Sequence, residues 1–165
     1  MAKEDDIRLI IEQERTLVFP AFSEDIAFSI GCTLRALAQA GGHAIAAQIS
    51  MADRPLFYMA LEGTTGDNQH WLCRKANIVQ RLHRSSYRVV LEHNGPDDFF
   101  GPRRGLDNAD FVLAGGGFPI RVKQVGVIGS ICVSGLRERE DHRLVVEALA
   151  DHLGADRKAL TLPPL

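Results

Sequence analysis

A row of polar side chains recurs at helical spacing in the segment TTGDNQHWLCRKANIVQR, residues 64–81. At about 100° per residue, one face of this helix would carry an imidazole, an amide and two arginines, and no acid: His70, Asn77, Arg74 and Arg81. Guanidinium groups bind carboxylates and phosphates through paired hydrogen bonds. The row therefore predicts a site for a small acidic ligand. The alternative is that these side chains are only solvated, as arginines on an exposed helix face usually are.

Lys75 and Trp71 lie on a different, apolar face of the same helix. A lysine in the middle of an apolar face covers its stem with hydrophobic neighbours and brings its ammonium to an edge pocket or to a buried acid. We therefore expect Lys75 to be shielded from solvent. Trp71 is predicted to form the apolar wall of a pocket, although a lone tryptophan is more often a core residue.

Three consecutive glycines occur in the segment AGGGFPI, residues 114–120. The segment lacks the Gly-Lys-Ser/Thr ending of a Walker A loop, and Ile120 stands where a dinucleotide-binding fingerprint needs a glycine. A tight turn between strands with positive φ is the ordinary explanation. Glycines also let a ligand approach the backbone, so we predict a ligand pocket between this turn and the 66–84 helix. Its predicted residues are Trp71, Arg74, Lys75, Asn77, Gly116, Gly117 and Pro119.

The histidines show no catalytic or metal-binding spacing. None of the six belongs to an H-x-x-x-H or H-E-x-x-H motif: His43, His70, His83, His93, His142 and His152. Any of them could be a single axial ligand of iron, and their spacing singles none out. His152 falls on the apolar face of the last helix, where a hydrogen-bonded structural histidine is expected. No G-x-S-x-G motif occurs, so we predict neither catalytic residues nor a metal site.

The composition excludes several classes of function. A net charge of −2 and a pI near 6.3 give no electrostatic basis for binding nucleic acid or an anionic membrane. No apolar run approaches the ~18 residues of a membrane span. The acidic segment MAKEDDIRLI is unlike a secretory signal. We therefore expect a cytoplasmic protein whose cysteines, Cys32, Cys73 and Cys132, are reduced and buried.

Hydrophobic periodicity and turn residues predict a single domain of helices and mainly antiparallel strands. Helices are predicted at 4–16, from the N-cap Ser23 to Gly41, at 66–84, at 85–94 (where a strand is the alternative) and near the C-terminus; strands are predicted at 43–50, 55–62, 110–115, 118–122 and 124–135. Hairpins rather than helical crossovers join the strands, which indicates an α+β fold. We expect one domain over residues 1–165, with a core at about 20–155 and a loosely ordered tail at 160–165.

A long segment without periodicity, residues 94–109, contains the adjacent phenylalanines Phe99 and Phe100 and the basic pair Arg103 and Arg104. A loop of this length inside a compact domain is usually functional, at an interface, or mobile. Two exposed aromatic side chains would reduce solubility, so we expect either the protein's own core or a neighbouring subunit to cover them.

Four segments, in their order and spacing, resemble one family of proteins. They are RKA at 74–76, GGGFPI at 115–120, VGVIGSICVSG at 125–135 and ERED at 138–141. The sequence is similar in these segments to the haem-degrading-domain family of GlcG-like and HbpS-like proteins, and residues 61–87 look more specifically like a cytoplasmic branch of it. The resemblance implies a profilin-like three-layer α/β/α fold with a five-stranded antiparallel sheet. It also implies haem as a candidate cofactor and a homo-oligomer as the assembled form.

Three functions agree with this resemblance, and we rank a ligand-binding module first. Its ligand would be haem, another tetrapyrrole or a small carboxylate, bound with no catalysis or with weak catalysis. A homo-oligomeric scaffold without a ligand ranks second, and a haem-degrading enzyme third. Because members of the family assemble, we predict a subunit interface formed by Phe99, Phe100, Arg103 and Arg104.

Overall fold

The computed structural model describes residues 2–93 and 99–165. Over these residues the chain forms six helices and four strands: α1 (Ala2–Thr16), α2 (Glu24–Ala40), β1 (Ala46–Met51), β2 (Arg54–Ala60), α3 (Gly66–Leu82), α4 (Ser86–Glu92), β3 (Gly117–Val122), β4 (Gly126–Ser134), α5 (Glu138–Leu153) and α6 (Arg157–Leu160). The first five residues of the predicted 94–109 loop lie outside the described part of the chain. Within the described part, every helix falls short of the length and apolarity that a membrane span requires.

The four strands form one antiparallel sheet in the order β2-β1-β4-β3. β1 pairs with β2 in a hairpin and with β4 on its other side, so that Ala46 stands opposite both Ala60 and Ser134. β3 pairs with the far side of β4 and forms the other edge. The predicted α+β fold with an antiparallel sheet is confirmed.

The predicted fifth strand, residues 110–115, is wrong. Among the described residues the sheet has four strands, and this segment is a turn followed by irregular backbone. The backbone N–H groups of Asp110 and Phe111 donate to the carbonyl of Asp107 at 3.0 and 2.9 Å, and their own carbonyls accept hydrogen bonds from side chains of α3. Backbone groups that are already paired in this way are not available to a strand ladder.

Helices cover both faces of the sheet, because side chains alternate between the two faces along each strand. Ala47 and Ile49 of β1 belong to the main core, which α2 and α5 complete. Ala46 belongs to the opposite face, where it packs with Leu72 of α3 and with Cys132 of β4. α3 therefore lies across β1, β3 and β4 and brings the residues of the predicted site to this second face.

Two predictions about buried side chains are corrected. Cys132 is buried as expected, but Cys32 and Cys73 are exposed, because each faces outward from its helix. His152 is also exposed, since it lies in the last turn of α5. The histidine that α5 buries completely is His142, in its second turn.

Part of the C-terminal segment is held against the rest of the fold. Leu162 is fully buried. Arg139 of α5 contacts segments near both ends of the chain, since its guanidinium pairs with Asp6 and donates to the carbonyl of Pro163 at 2.6 Å. These contacts join α1 and the C-terminal segment to α5.

Candidate functional site

α3 begins and ends close to the residues that the sequence predicts as its ends. The hydroxyl of Thr65 accepts a hydrogen bond from the Asp67 N–H at 3.3 Å, and the Asn68 side chain accepts one from the Thr65 N–H at 3.0 Å. The helix ends at His83, whose φ of 55° is left-handed. The predicted span of 66–84 is thus confirmed to within two residues, and with it the assignment of side chains to helix faces.

The polar row of α3 binds the protein's own backbone. Three of its members donate to main-chain carbonyls of the segment that precedes β3: Arg74 to Phe111 at 3.3 Å, Asn77 to Asp110 at 2.8 Å and Arg81 to Arg104 at 3.3 Å. His70, the fourth member, is exposed. The row therefore fastens the 104–111 segment to α3, and each of its two arginines uses one of its five N–H donors on a backbone carbonyl.

Lys75 is buried, as predicted from its position on the apolar face, with 3% of its side chain exposed. Its ammonium Nζ donates to the Val133 carbonyl at 2.8 Å and to Asp141 Oδ2 at 3.0 Å. Asp141 lies in the first turn of α5 and is equally buried. Its other oxygen, Oδ1, accepts the N–H of Leu136 at 2.9 Å. A buried cation and a buried carboxylate are thus paired across α3, β4 and α5.

Burial controls the protonation of this pair. Removal from water raises the pKa of the Asp141 carboxyl to about 6, even though the attraction of Lys75 and the hydrogen bond from the Leu136 N–H act in the opposite direction. The carboxylate therefore gains or loses its proton near neutral pH. A group that titrates in this range can couple ligand binding to proton uptake.

The triple glycine gives the backbone close access to this ion pair. Gly116 has a φ of +123°, and a Cβ added there would lie 2.5 Å from the Val133 carbonyl oxygen and 2.9 Å from Lys75 Nζ. Gly117 donates its N–H to the Ser86 hydroxyl at 2.9 Å and begins β3. Pro119 is buried inside β3 opposite Ser130. The positive φ is confirmed, but the glycines follow irregular backbone rather than a strand, and they pack against side chains instead of forming a phosphate loop.

An open pocket of about 360 Å³ lies over the ion pair, between the first turns of α3 and α5. It is lined by Asp67, Asn68, Trp71, Lys75, Ala114, Ser134, Gly135, Leu136, Glu138 and Asp141. Two of the predicted ligand residues, Trp71 and Lys75, line it; the other five do not: Arg74, Asn77, Gly116, Gly117 and Pro119. A larger cavity of about 450 Å³ lies at residues 100–108, but its lining contains a single ionisable side chain, Asp107.

The pocket holds more negative than positive side chains. Asp67 accepts the indole N–H of Trp71 at 3.2 Å, and Glu138 accepts the N–H of Gly115 at 3.1 Å. Both carboxylates lie in the first turn of a helix, where the helix dipole favours negative charge. With Lys75 and Asp141 compensating each other, these two acids at the mouth disfavour a ligand that is purely anionic.

Asp141 and Glu138 were not recognised in the sequence, although both belong to the quoted ERED segment. Asp141 precedes Leu144, Val145 and Ala148 by three, four and seven residues and so falls on the buried stripe of α5. Lys75 is likewise an ionisable residue on the apolar stripe of its helix. Two such residues of opposite charge on two helices indicate a buried ion pair.

Phe99 is covered by its own chain. It is 2% exposed and packs in a small core with three apolar side chains: Ile78, Val89 and Leu106. The guanidinium of Arg104 lies 4.9 Å from its ring centre. Phe100 is half-buried, while Arg103 and Arg104 are exposed. The interface prediction for these residues stays a prediction, with Phe100 and the two arginines as the surface available to a partner.

The sequence matches the model of the haem degrading protein HbpS-like family over residues 22–150. The chain belongs to this family. A UPF0303 protein of Mesorhizobium japonicum is 55% identical over 162 residues, 98% of this chain and 97% of that one. A UPF0303 protein of Brucella canis is 53% identical over 167 residues, 99% of each. Trp71, Lys75 and Asp141 lie inside the matched region, whereas α1 and α6 lie outside it.

Solved structures show the same fold at low sequence identity. The Ybr137w protein aligns with a TM-score of 0.80 and 22% identity over 90% of this chain and 87% of that one. A PduOC–haem complex aligns with a TM-score of 0.63 and 16% identity, covering 79% and 94%. HbpS aligns with a TM-score of 0.59 and 14% identity, covering 79% and 88%. These similarities support the arrangement of helices and strands described above.

Proposed function

We propose that this member of the HbpS-like family is a small-ligand-binding module, non-catalytic or weakly catalytic, whose site is the pocket over Lys75 and Asp141. The observation that carries the proposal is the ammonium of Lys75. It has three N–H donors, and two of them are paired, with Val133 and Asp141. The third has no partner among the described residues. A buried donor beneath an open pocket is a group that a ligand can satisfy.

The size and charge of the pocket restrict the ligand. Its volume of about 360 Å³ is near the lower end of the ~300–1,000 Å³ found for ligand pockets. A molecule of a few carbons fits inside, whereas a tetrapyrrole would enter by one edge only. Asp67 and Glu138 act against a bare carboxylate, so a small acid would have to carry hydrogen-bond donors as well, as a hydroxy acid does. Trp71 supplies the apolar wall.

A tetrapyrrole is the second ligand class in this proposal. It is supported by the description of the family and by the haem complex of one structural neighbour. Incubating the protein with haemin and a reductant tests the related enzyme hypothesis. Release of iron with loss of the Soret band would indicate haem degradation. A stable Soret band would indicate binding without degradation.

The binding test uses a variant that removes the ion pair without leaving a buried charge. Lys75→Met/Asp141→Leu replaces both partners by apolar side chains of similar size, a change that buried ion pairs often tolerate. We expect a panel of small hydroxy acids and carboxylates, screened by ligand-observed NMR, to bind the parent protein and not the double variant. Lys123→Met, which removes an exposed lysine from the β3–β4 turn, is the matched control. Equal binding by the parent and the double variant would place any ligand elsewhere.

A homo-oligomeric scaffold is the second candidate, because an aromatic patch formed by Phe28 and Phe57 lies away from the pocket. Phe28 of α2 is 60% exposed. The Phe57 ring packs edge-on against Phe28 at 5.9 Å. Light-scattering chromatography of Phe28→Ser and of Phe100→Ser compares this patch with the interface predicted from the sequence. A lower mass in one variant identifies the surface through which subunits assemble. An unchanged mass in both variants shows that neither surface is the assembly contact.

A further inference from the structure

The charged groups of the Lys75 pocket are sorted by depth. At its floor, Lys75 and Asp141 are each 3% exposed and form an ion pair. At its mouth, Asp67 and Glu138 are exposed. Among the described lining residues, three carboxylates therefore accompany a single ammonium. The proposed function assigns a partner to the ammonium but none to the two carboxylates at the mouth.

Two hydrogen-bond donors at the floor have no acceptor among the described residues. One is the N–H that the Lys75 ammonium has beyond its bonds to Val133 and Asp141. The other is the hydroxyl of Ser134, which is 5% exposed and only accepts a hydrogen bond, from the Asn68 side chain at 3.4 Å. Both donors have lost their water, so a ligand carboxylate that reached the floor would satisfy two buried groups at once.

The carboxylates at the mouth favour the opposite charge. Asp67 uses Oδ2 on the indole N–H of Trp71 at 3.2 Å, and Glu138 uses Oε2 on the Gly115 N–H at 3.1 Å. Their second oxygens, Asp67 Oδ1 and Glu138 Oε1, have no hydrogen-bond partner in the described part of the chain. Two such carboxylates at one opening attract a cation and repel an anion.

α3 fixes the order in which a ligand meets these groups. Asp67, Trp71 and Lys75 follow one another at intervals of four residues, so they lie along one side of the helix, about 6 Å apart along its axis. The indole thus stands between the acid at the mouth and the ammonium at the floor. The Arg74 guanidinium already lies 5.0 Å from the centre of this ring, so the indole acts as an apolar wall rather than as a cation-binding surface.

We infer that the Lys75 pocket binds an amino acid in its zwitterionic form. The carboxylate of the ligand accepts hydrogen bonds from Lys75 and Ser134 at the floor. Its ammonium donates to Asp67 and Glu138 at the mouth, and its carbon atoms pack on Trp71. The inference rests on the proposed function, which places a small ligand in this pocket, and it names the class of that ligand. An acid without an amine would meet unpaired negative charge at the mouth, and an amine without a carboxylate would leave the buried donors unsatisfied.

Isothermal titration calorimetry with compounds of one carbon skeleton tests the assignment. L-Valine carries both charged groups, α-hydroxyisovalerate has a hydroxyl in place of the ammonium, and isobutylamine lacks the carboxylate. We expect valine to bind the parent protein at least about tenfold more tightly than either analogue. δ-Aminovalerate, compared with valerate, repeats the test with the two charges farther apart. This preference in either amino acid supports the inference.

Variants at the two depths separate the two ends of the ligand. Glu138→Gln keeps an acceptor for the Gly115 N–H but removes a charge. It should weaken amino-acid binding by roughly tenfold without weakening hydroxy-acid binding, and Asp67→Asn should act in the same direction. Ser134→Ala should weaken both ligands by a similar factor, because both carry the carboxylate. Glu140→Gln removes a charge from the same turn of α5 outside the pocket lining, and this matched control should bind like the parent.

The outcomes distinguish the inference from the proposed function. If neither amino acid binds more tightly than its matched acid, or if Asp67→Asn and Glu138→Gln both keep the preference, the inference is wrong. Hydroxy-acid binding that is lost in Lys75→Met/Asp141→Leu would then still support the proposed function. If none of these compounds binds the parent, the inference and the small-acid part of the proposed function are both wrong.

Discussion

α3 carries cations on two of its faces, and the two faces behave differently. Arg74 looks outward, donates to the Phe111 carbonyl and lies over the ring of Trp71 at 5.0 Å. Lys75, the next residue, points into the protein, where it is 3% exposed and paired with Asp141. The face that resembled a ligand site in the sequence is occupied by the chain's own backbone. The face that resembled a core contains the buried charge.

The difference follows from the cost of desolvation. An arginine at the surface keeps its water, so a hydrogen bond to a carbonyl adds little and can serve simply to hold a loop. A buried ammonium has lost its water and needs partners for its charge. The buried lysine is therefore under much stronger constraint than the exposed arginines, and the following changes test how far the two faces differ.

The largest effect is expected when one partner of the buried pair is removed. Lys75→Met leaves the Asp141 carboxylate buried without its counter-ion and should lower the free energy of unfolding by about 3–5 kcal/mol. Lys75→Met/Asp141→Leu should recover most of that loss, because no charge is then left unpaired. Urea denaturation of both variants measures the two values. Equal destabilisation by the single and double changes would show that packing, and not charge pairing, makes Lys75 important.

The second effect is a dependence of stability on pH. Burial raises the pKa of Asp141 from 3.8 to about 6, so between these values the folded protein holds a proton that the unfolded chain has lost. The stabilisation that this proton gives the folded state is fully present below pH 3.8 and is lost as pH rises through about 6. Over this range the free energy of unfolding falls by no more than about 1.4 kcal/mol per pH unit.

Asp141→Asn does not titrate and provides the reference for that measurement. The stability of the parent relative to Asp141→Asn should fall as pH rises from 4 to 7, measured by urea denaturation at each pH. The opposite slope would mean that the attraction of Lys75 outweighs burial and lowers the pKa of Asp141.

A smaller loss of stability is expected when a side chain is added at Gly116, beside the Lys75–Asp141 ion pair. Gly116→Ala adds a Cβ 2.5 Å from the Val133 carbonyl oxygen at a φ of +123°, which should cost about 2–3 kcal/mol. Gly126→Ala is a close control, since its φ is +111° but no heavy atom lies within 4 Å of the added Cβ. It should cost about 1 kcal/mol through backbone strain alone. Equal melting temperatures for the two variants would contradict the close approach at Gly116.

The smallest losses of stability are expected for substitutions on the outward face of α3. Arg74→Ala and Asn77→Ala each remove one hydrogen bond to the 110–111 backbone and should each lower stability by about 1 kcal/mol or less. Small-acid binding at the Lys75 pocket should be unchanged in both. If either variant abolishes that binding while its unfolding curve stays parental, the polar row takes part in recognition after all.

The sequence was sufficient for features that depend on local pattern. The span of α3, the burial of Lys75 and the antiparallel hairpins follow from periodicity and capping residues, and the structure agrees with them. The partner of Lys75 was beyond this reasoning, because Asp141 is 66 residues away and is brought close only by the packing of α3 and α5 on β4. Its position on an apolar stripe was visible, but the pairing was not.

The segment at 110–115 shows a second limit of sequence reasoning. Its largely apolar sequence, DFVLAG, is typical of a strand. The side chains of Asn77 and Arg74, however, donate hydrogen bonds to its backbone carbonyls. Whether a backbone joins a sheet depends on what competes for its hydrogen bonds, and that competitor lies on a distant helix. The same polar row thus accounts for the absence of the predicted strand at 110–115.

Arg139 shares with two residues of α1 the response of the fold to mechanical load. Its guanidinium contacts Asp6 near one end of the described chain and the carbonyl of Pro163 near the other. Tension applied between these two ends would also load Gln13, which donates to the Leu160 carbonyl and contacts His142, and Glu14, which pairs with Arg88. Breaking these contacts together would release α1 and the C-terminal segment first. The strands and the Lys75 pocket, which lie within residues 46–153 and do not use this arginine, would still be intact at that stage.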